Sequence, residues 1–353
     1  MNPSNSKINA VDLFCGAGGL SLGLKQAGIQ VATGIDLDPA CSFPYSKNIG
    51  AKFLEADISD ISGQDLQAAW LPQRIRLLAG CAPCQPFSSQ RRGVDTREEK
   101  NWGLLTHFGR LTEETLPELV TMENVTRLAN QSVFKDFVAK LRKLDYDVVY
   151  GSLYGPSFGL PQERRRLVLL ASRIGPVRLP RGHRSHTYKT VRETISTLPP
   201  VEAGQADTDD PLHCARALSD INISRLRSSK PGGTWLDWPP ELRSPCHQRT
   251  TGASFQAFYG RMEWDKPSPT ITTQFFNPGT GRFGHPEQDR TITLREAAML
   301  QGFPRHYQFL PAECKPMQKV VGRLIGNAVP PAFGRAVGRE LIRSVNNRKE
   351  CVK

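Results

Sequence analysis

The stretch "GCAPCQPFSSQ", residues 80–90, sets two cysteines three positions apart. A thiol pair of this kind can exchange disulfides, hold half of a metal site, or supply one nucleophile beside a bystander. A redox C-x-x-C needs its first cysteine exposed at a helix N-terminus, whereas here Pro83 and Pro86 flank the second cysteine. A zinc site needs four ligands at workable spacing. His183, His186, His213, Cys214, Cys246 and His247 form no second compact pair, so no metal is expected. Cys81 reads as an ordinary core thiol. Cys84 stands in a proline-rich turn just past the apolar run "RIRLLAG", at a strand's carboxyl end, where open α/β sheets place their sites. That position favours a nucleophile.

Other residues widen the chemistry. "DLFCGAGGLSLG" puts Gly16, Gly18 and Gly19 between a strand and a helix, where glycine lets the backbone approach a ligand or simply makes a turn. Asp36 ends the next strand and can accept hydrogen bonds from both hydroxyls of a ribose. The dinucleotide fingerprint G-x-G-x-x-G fails at Ser21, which points away from a nicotinamide or flavin and toward a nucleoside without pyrophosphate, such as S-adenosylmethionine. Asp57 in "LEADIS" fits either an adenine contact or a helix N-cap. "MENV" supplies Glu123 and Asn124 at a further strand end, and "QERRR" supplies Gln162, Arg164 and Arg166 ahead of another strand. A thiol, a carboxyl and guanidinium donors at one sheet mouth are equipment for covalent attack on a polar heterocycle.

The elements that must position these groups follow from the apolar pattern. "INAVDLF", "VATGI", "RIRLLAG", "LVTMENV" and "RRLVLLAS" read as buried strands. "LSLGLKQAG" reads as a helix stopped by Gly28, and "FKDFVAKLRKLDY" places Phe134, Phe137, Val138, Leu141 and Leu144 on one helical face. Such alternation predicts a mostly parallel, doubly wound sheet. After about residue 176, Pro, Gly, Arg and aromatic residues dominate, which predicts an irregular, β-rich second domain. The chain of 353 residues is long enough for both. Its net charge of +12 points to a polyanionic partner. Eight cysteines without framework spacing suggest reduced thiols in a cytosol. "MNPSNSKINA" lacks the apolar core of a secretory signal, and no apolar run approaches a membrane span.

Six blocks in order, "DLFCGAGG", "GCAPCQPFSSQ", "MENV", "QERRR", "RTITLREAAMLQGFP" and "GNAV", resemble the C5-cytosine DNA methyltransferase family of bacterial and phage type, from residue 11 to about 340. The resemblance implies a Rossmann-like, S-adenosylmethionine-dependent catalytic domain over residues 1–184. It implies a small domain over 185–318, with target recognition in about 185–289, and a segment 319–353 returning to the large domain. It assigns Phe14, Gly16, Ala17, Gly18, Gly19, Asp36, Leu37, Asp57, Ile58, Pro83, Leu104, Asn327 and Val329 to the cofactor. Leu37 stands where the family often has an aromatic residue on the adenine. Cys84 would attack cytosine C6, Glu123 would bond the N3 and amino edge, and Arg166 would bond O2, with Arg164 counted in the same catalytic set. Gln90, Arg91, Arg92 and Arg97 belong to a polar loop, 88–103, expected to close over DNA. The implied substrate is a cytosine flipped out of duplex DNA, because the attack face of C6 is inaccessible in the stack. The tRNA-acting branch shares the catalytic blocks and is the alternative. A monomer in a bacterial cytosol, acting at the nucleoid with or without a cognate restriction endonuclease, completes the expectation.

Overall fold

The structure is a computed structural model and describes residues 7–83, 103–183, 187–245 and 256–351, with side chains as far as 347. Seven strands form one sheet: β1 (Ile8–Leu13), β2 (Gln30–Asp36), β3 (Lys52–Glu55), β4 (Ile75–Gly80), β5 (Leu119–Asn124), β6 (Asp147–Tyr154) and β7 (Arg165–Ser172). Their order is β3-β2-β1-β4-β5-β7-β6. The chain winds from β1 outward to β3, then restarts on the other side of β1 with β4. The carboxyl ends of β1 and β4 therefore flank the switch point at which such sheets bind ligands.

β1 and β5 are buried along their whole length, which is why both read as apolar runs. Thr121 in β5 satisfies its hydroxyl by donating to the Leu169 carbonyl at 2.9 Å. The helices α1 (Gly19–Ala27), α2 (Ser42–Ile49), α3 (Gly63–Ala69), α4 (Gly103–Thr115) and α5 (Ser132–Lys143) alternate with the strands. One face of the sheet packs Val11, Leu78, Val120 and Leu169 against Leu66, Phe108 and Phe137 of α3–α5. The other packs Ala10, Leu77, Leu119 and Leu170 against Leu20, Leu24, Phe333 and Val337. Phe333 and Val337 lie on the long helix α10 (Pro331–Cys351), which crosses α1 at backbone contact. A Cβ at Gly23 would stand 2.2 Å from the Pro331 carbonyl oxygen, and one at Gly334 would stand 2.6 Å from that of Leu20.

The mostly parallel sheet expected from the sequence is present, with one reversal. β7 runs antiparallel to both β5 and β6, pairing Leu167 with Asn124 and Val168 with Glu123. The start of β7 therefore lies at the same rim as the carboxyl ends of β5 and β6.

Two compact units result. The first comprises 1–158, 165–184 and 329–353, and the second 159–164 and 185–328. The expected segment 185–289 falls within the second unit. That unit carries α6 (Val191–Ile195), α7 (Asp220–Ser228), α8 (Leu294–Leu300) and α9 (Gln318–Asn327). The expectation of a β-rich second domain is corrected. Its described residues form no named strand, only isolated bridges such as Arg261 to Gly284 and Gly284 to Thr291. Buried arginines take over work that a ladder would do. Arg261 donates to the carbonyls of Leu226, Ser229, His285 and Gln288, Arg290 to that of Val201, and Arg295 to that of Tyr307. Carbonyls satisfied by guanidinium forks need no neighbouring strand. The same observation qualifies the charge argument, since these buried cations are spent inside the protein rather than offered to a polyanion.

Candidate active site

The turn after β1 is built on left-handed backbone. Phe14, Gly16 and Gly18 have φ of 56°, 53° and 86°, a region in which glycine carries no Cβ penalty. Gly18 caps α1, and Ala17 and Gly19 are buried beneath the turn. A Cβ at Gly16 would meet nothing within 4 Å, so the backbone there faces open space. Asp36 ties the turn to β2. Its Oδ2 accepts the Gly16 N–H at 2.8 Å and its Oδ1 accepts the Asp38 N–H at 2.9 Å. Burial pushes this carboxyl above its ordinary range against the pull of those bonds. A carboxylate has about four lone-pair sites, so acceptor capacity remains for hydroxyl donors. Beside it, Leu37 is 62% exposed despite being apolar. An open backbone face, a carboxylate with spare acceptors and an uncovered apolar side chain fit a nucleoside.

Asp57 makes a local turn, accepting from the Ser59 N–H and hydroxyl at 2.9 and 2.8 Å. Those bonds hold its carboxyl below the usual range. Ile58 is buried in the core of the first unit. Leu104 is half-buried in the first turn of α4, and Val329 packs in the α1–α10 core. Asn327 is the exposed last residue of α9 in the second unit.

At the ends of β4 and β5 the polar groups converge. Gly80 pairs with Met122, so the register brings Cys81 beside Glu123 one step on. The Cys81 thiol donates to Glu123 Oε2 at 3.0 Å. Arg166 Nε stands 3.1 Å from Oε1 as an ion pair, with both side chains largely buried; the geometry falls short of a hydrogen bond, so Oε1 has no hydrogen-bond partner. Asn124 donates to the Ala82 carbonyl at 2.9 Å and accepts from the Val125 N–H. Two side-chain links therefore clamp the backbone leading to the exposed Pro83 onto the end of β5. Arg165 lays its guanidinium over the Tyr154 ring at 4.2 Å, which leaves Arg166 on the Glu123 side of the pair.

Arg164, counted with Arg166 in the catalytic set, belongs to the second unit. There its buried guanidinium donates to the carbonyls of Ile271 and Gly326 at 3.0 and 3.1 Å. Gln162 likewise bonds the Leu300 carbonyl and Gln301. Cys84, Gln90, Arg91, Arg92 and Arg97 lie outside the described residues, as does nearly all of the 88–103 loop. Sequence reasoning missed the link from Cys81 to Glu123. The signal that could have found it is register, because pairing of "AG" at the end of β4 with "TM" in β5 places the residues that follow side by side. Among the described residues no cluster of three His, Cys, Asp or Glu could hold a metal, and no helix is long and apolar enough to cross a membrane.

Residues 8–343 match the family described as C-5 cytosine-specific DNA methylase. The chain belongs to this family. It is 46% identical over 344 residues to the Type II methylase M.HgiDII of Herpetosiphon aurantiacus, covering 96% of each chain. It is 32% identical to the Type II methyltransferase M1.BsuMI of Bacillus subtilis, covering 93% of this chain and 78% of that one. Its fold is similar to that of a DNA modification methyltransferase encoded within an E. coli prophage, with a TM-score of 0.75 at 21% identity over 96% of this chain and 99% of that one. The S. pombe Dnmt2 methyltransferase shares the fold more distantly, at a TM-score of 0.58 and 19% identity over 96% and 99%. As a member of this family the chain is a DNA (cytosine-5)-methyltransferase, and the DNA reading stands over the tRNA one.

Proposed function

We propose that the chain methylates C5 of a cytosine flipped out of a specific duplex DNA sequence, with Cys84 as nucleophile and Glu123 and Arg166 holding the base. The observation that carries this reading is the meeting of Glu123, Arg166 and the clamped Ala82–Pro83 backbone at one rim. The cofactor is S-adenosylmethionine, and it supplies an electrophilic methyl when bound. Asp36 would hold the ribose, Phe14, Gly16, Gly18 and Gly19 would line the cofactor turn, Leu37 would lie beside the adenine with Asp57 and Ile58 at its edge, Pro83 would shape the loop, and Leu104 would add a further contact. Val329 would close the methionine end.

Cytosine C5 is a poor nucleophile. Addition of the Cys84 thiolate at C6 turns the ring into an enamine that is nucleophilic at C5. Glu123 bonds the N3 and amino edge as charge builds there, an effect worth about 10²–10⁴-fold when the proton is shared in the transition state. After methyl transfer a base takes the C5 proton, the C6–S bond breaks, and Cys84 leaves as thiolate. Residues 185–289 carry recognition through base edges in the major groove, and Gln90, Arg91, Arg92 and Arg97 meet phosphate. The enzyme acts as a monomer in the cytosol, with or without a cognate restriction endonuclease.

Bisulfite sequencing of DNA from cells expressing the chain tests the activity and the target together. The expected result is one protected cytosine context, absent with Cys84→Ala. Uniform conversion in both samples would refute the proposal.

A further inference from the structure

The Glu123 carboxyl is held from two sides. Arg166 Nε stands 3.1 Å from Oε1, and the Cys81 thiol donates to Oε2 at 3.0 Å. The terminal torsion of a glutamate is broad and roughly two-fold, so a contact on one oxygen alone leaves the carboxyl plane free to swing. A base edge that must meet a carboxyl in a fixed orientation needs the second anchor. Cys81 is able to supply it because Asn124 bonds the carbonyl of the next residue, Ala82, and fixes the backbone from which the thiol projects. Gly80, paired with Met122, has its Cβ position closed off by the Leu13 carbonyl at 2.9 Å and Phe108 at 3.0 Å, so the strand end is closely packed where the thiol begins.

We propose that Cys81 is a positioning residue for the methylation reaction, its thiol fixing the plane of the Glu123 carboxyl against the cytosine edge. The proposal rests on the reading of Glu123 given above. Cys81 then makes no contact with base or cofactor of its own, and its whole effect passes through Glu123.

A thiol is a weak donor and a hydroxyl a stronger one, so serine should replace Cys81 and alanine should not. The test is single-turnover methylation by the full chain of a duplex containing its target. Cys81→Ala, Cys81→Ser, Glu123→Gln and the double variant Cys81→Ala/Glu123→Gln are compared. Calorimetric affinity for S-adenosylmethionine and affinity for the duplex are measured on the same samples. Cys81→Ala should slow methyl transfer by about 10–100-fold, the scale of a small misplacement at a reacting centre, with both affinities within about twofold of wild type. Cys81→Ser should stay within about threefold, and the double variant should be no slower than Glu123→Gln. If Cys81→Ala does not fold, as melting would reveal, Cys81→Val fills the space without a donor and should show the same slowing. A wild-type rate for the donor-free variant would overturn the proposal, as would a serine variant as slow as alanine or losses that multiply in the double variant. Glu123→Gln at the wild-type rate would instead sink the reading of Glu123, and this proposal with it.

Discussion

The Ser21 hydroxyl donates to Asp12 Oδ2 at 2.6 Å and lies 2.8 Å from the Tyr45 hydroxyl, while Asp12 Oδ1 has no hydrogen-bond partner. Ser21 is the residue at which the dinucleotide fingerprint breaks. It is neither a failed glycine nor a ligand contact but one link in a buried chain from Tyr45 to Asp12. Tyr45 fits there because residue 34 is glycine: a Cβ at Gly34 would fall 2.1 Å from its ring. Burial pushes the Asp12 carboxyl up to about 7, with the Asp36 charge adding to the rise and the Ser21 bond opposing it.

A pH dependence follows. Unfolded, Asp12 titrates near 3.8; folded, near 7. Between those values the folded chain holds one more proton than the unfolded one, so stability falls as pH rises through this window and stays low above it. The ceiling is on the order of 4–5 kcal/mol at about 1.4 kcal/mol per pH unit. Asp12→Asn keeps the shape and removes the titration. Denaturation midpoints at pH 5 and pH 7.5 should differ less for the variant than for wild type. Equal pH dependence in both would show that Asp12 ionises freely.

The second unit carries the opposite sign. Burial pushes Glu296 up, but Arg290 bonds both its oxygens at 2.8 Å and brings it down to about 2. Its stabilising charge is present above the ordinary value of 4.5 and is lost as pH falls from there toward 2. Glu296→Gln leaves the Arg290 guanidinium buried without its counter-charge, which typically costs about 3–5 kcal/mol. Urea melts at neutral pH check this, and a loss under about 1 kcal/mol would mean that the pair is not effectively buried.

Asp36→Ala should weaken S-adenosylmethionine binding by about 1.5–3 kcal/mol, the scale of hydrogen bonds to a charged group. At 1.4 kcal/mol per tenfold this is roughly 10–150-fold in Kd. Titration calorimetry measures it, and unchanged affinity would remove Asp36 from the cofactor site.

Gly23→Ala is the packing test. The new methyl would stand 2.2 Å from the Pro331 oxygen and 2.6 Å from the Arg335 nitrogen, both backbone atoms that no rotamer change can move aside. Overpacking of this kind costs about 1–3 kcal/mol or more, so the thermal midpoint should fall by about 2–12 °C at roughly 2–4 °C per kcal/mol. A melting curve unchanged from wild type would mean that α10 is held less closely than described.

The sequence was most legible where a strand is buried on both faces. β1, β4, β5 and β7 each read directly from apolar runs, and α5 from the spacing of Phe134, Phe137, Val138 and Leu141. β6 escaped because it is half exposed and interrupted by Gly151, and β3 because it has four residues and exposed ends. The direction of β7 is invisible in its own residues, since pairing sense depends on neighbours. The site residues were legible as types at strand ends. Their links were not, because the contact of Cys81 with Glu123 is a matter of register between two strands 42 positions apart. The second unit misread as β-rich because aromatic residues suggest strands, whereas Arg261, Arg290 and Arg295 satisfy its carbonyls instead.

The crossing of α1 by α10 joins segments about 300 residues apart in the chain. A ribosome adds about 5–20 residues per second, so α1 emerges roughly 15–60 s before the helix that covers it. Until then Leu20 and Leu24 have the sheet residues of their cluster but not Phe333 and Val337. The packing that seats the turn after β1 is therefore completed only by a late-made part of the chain.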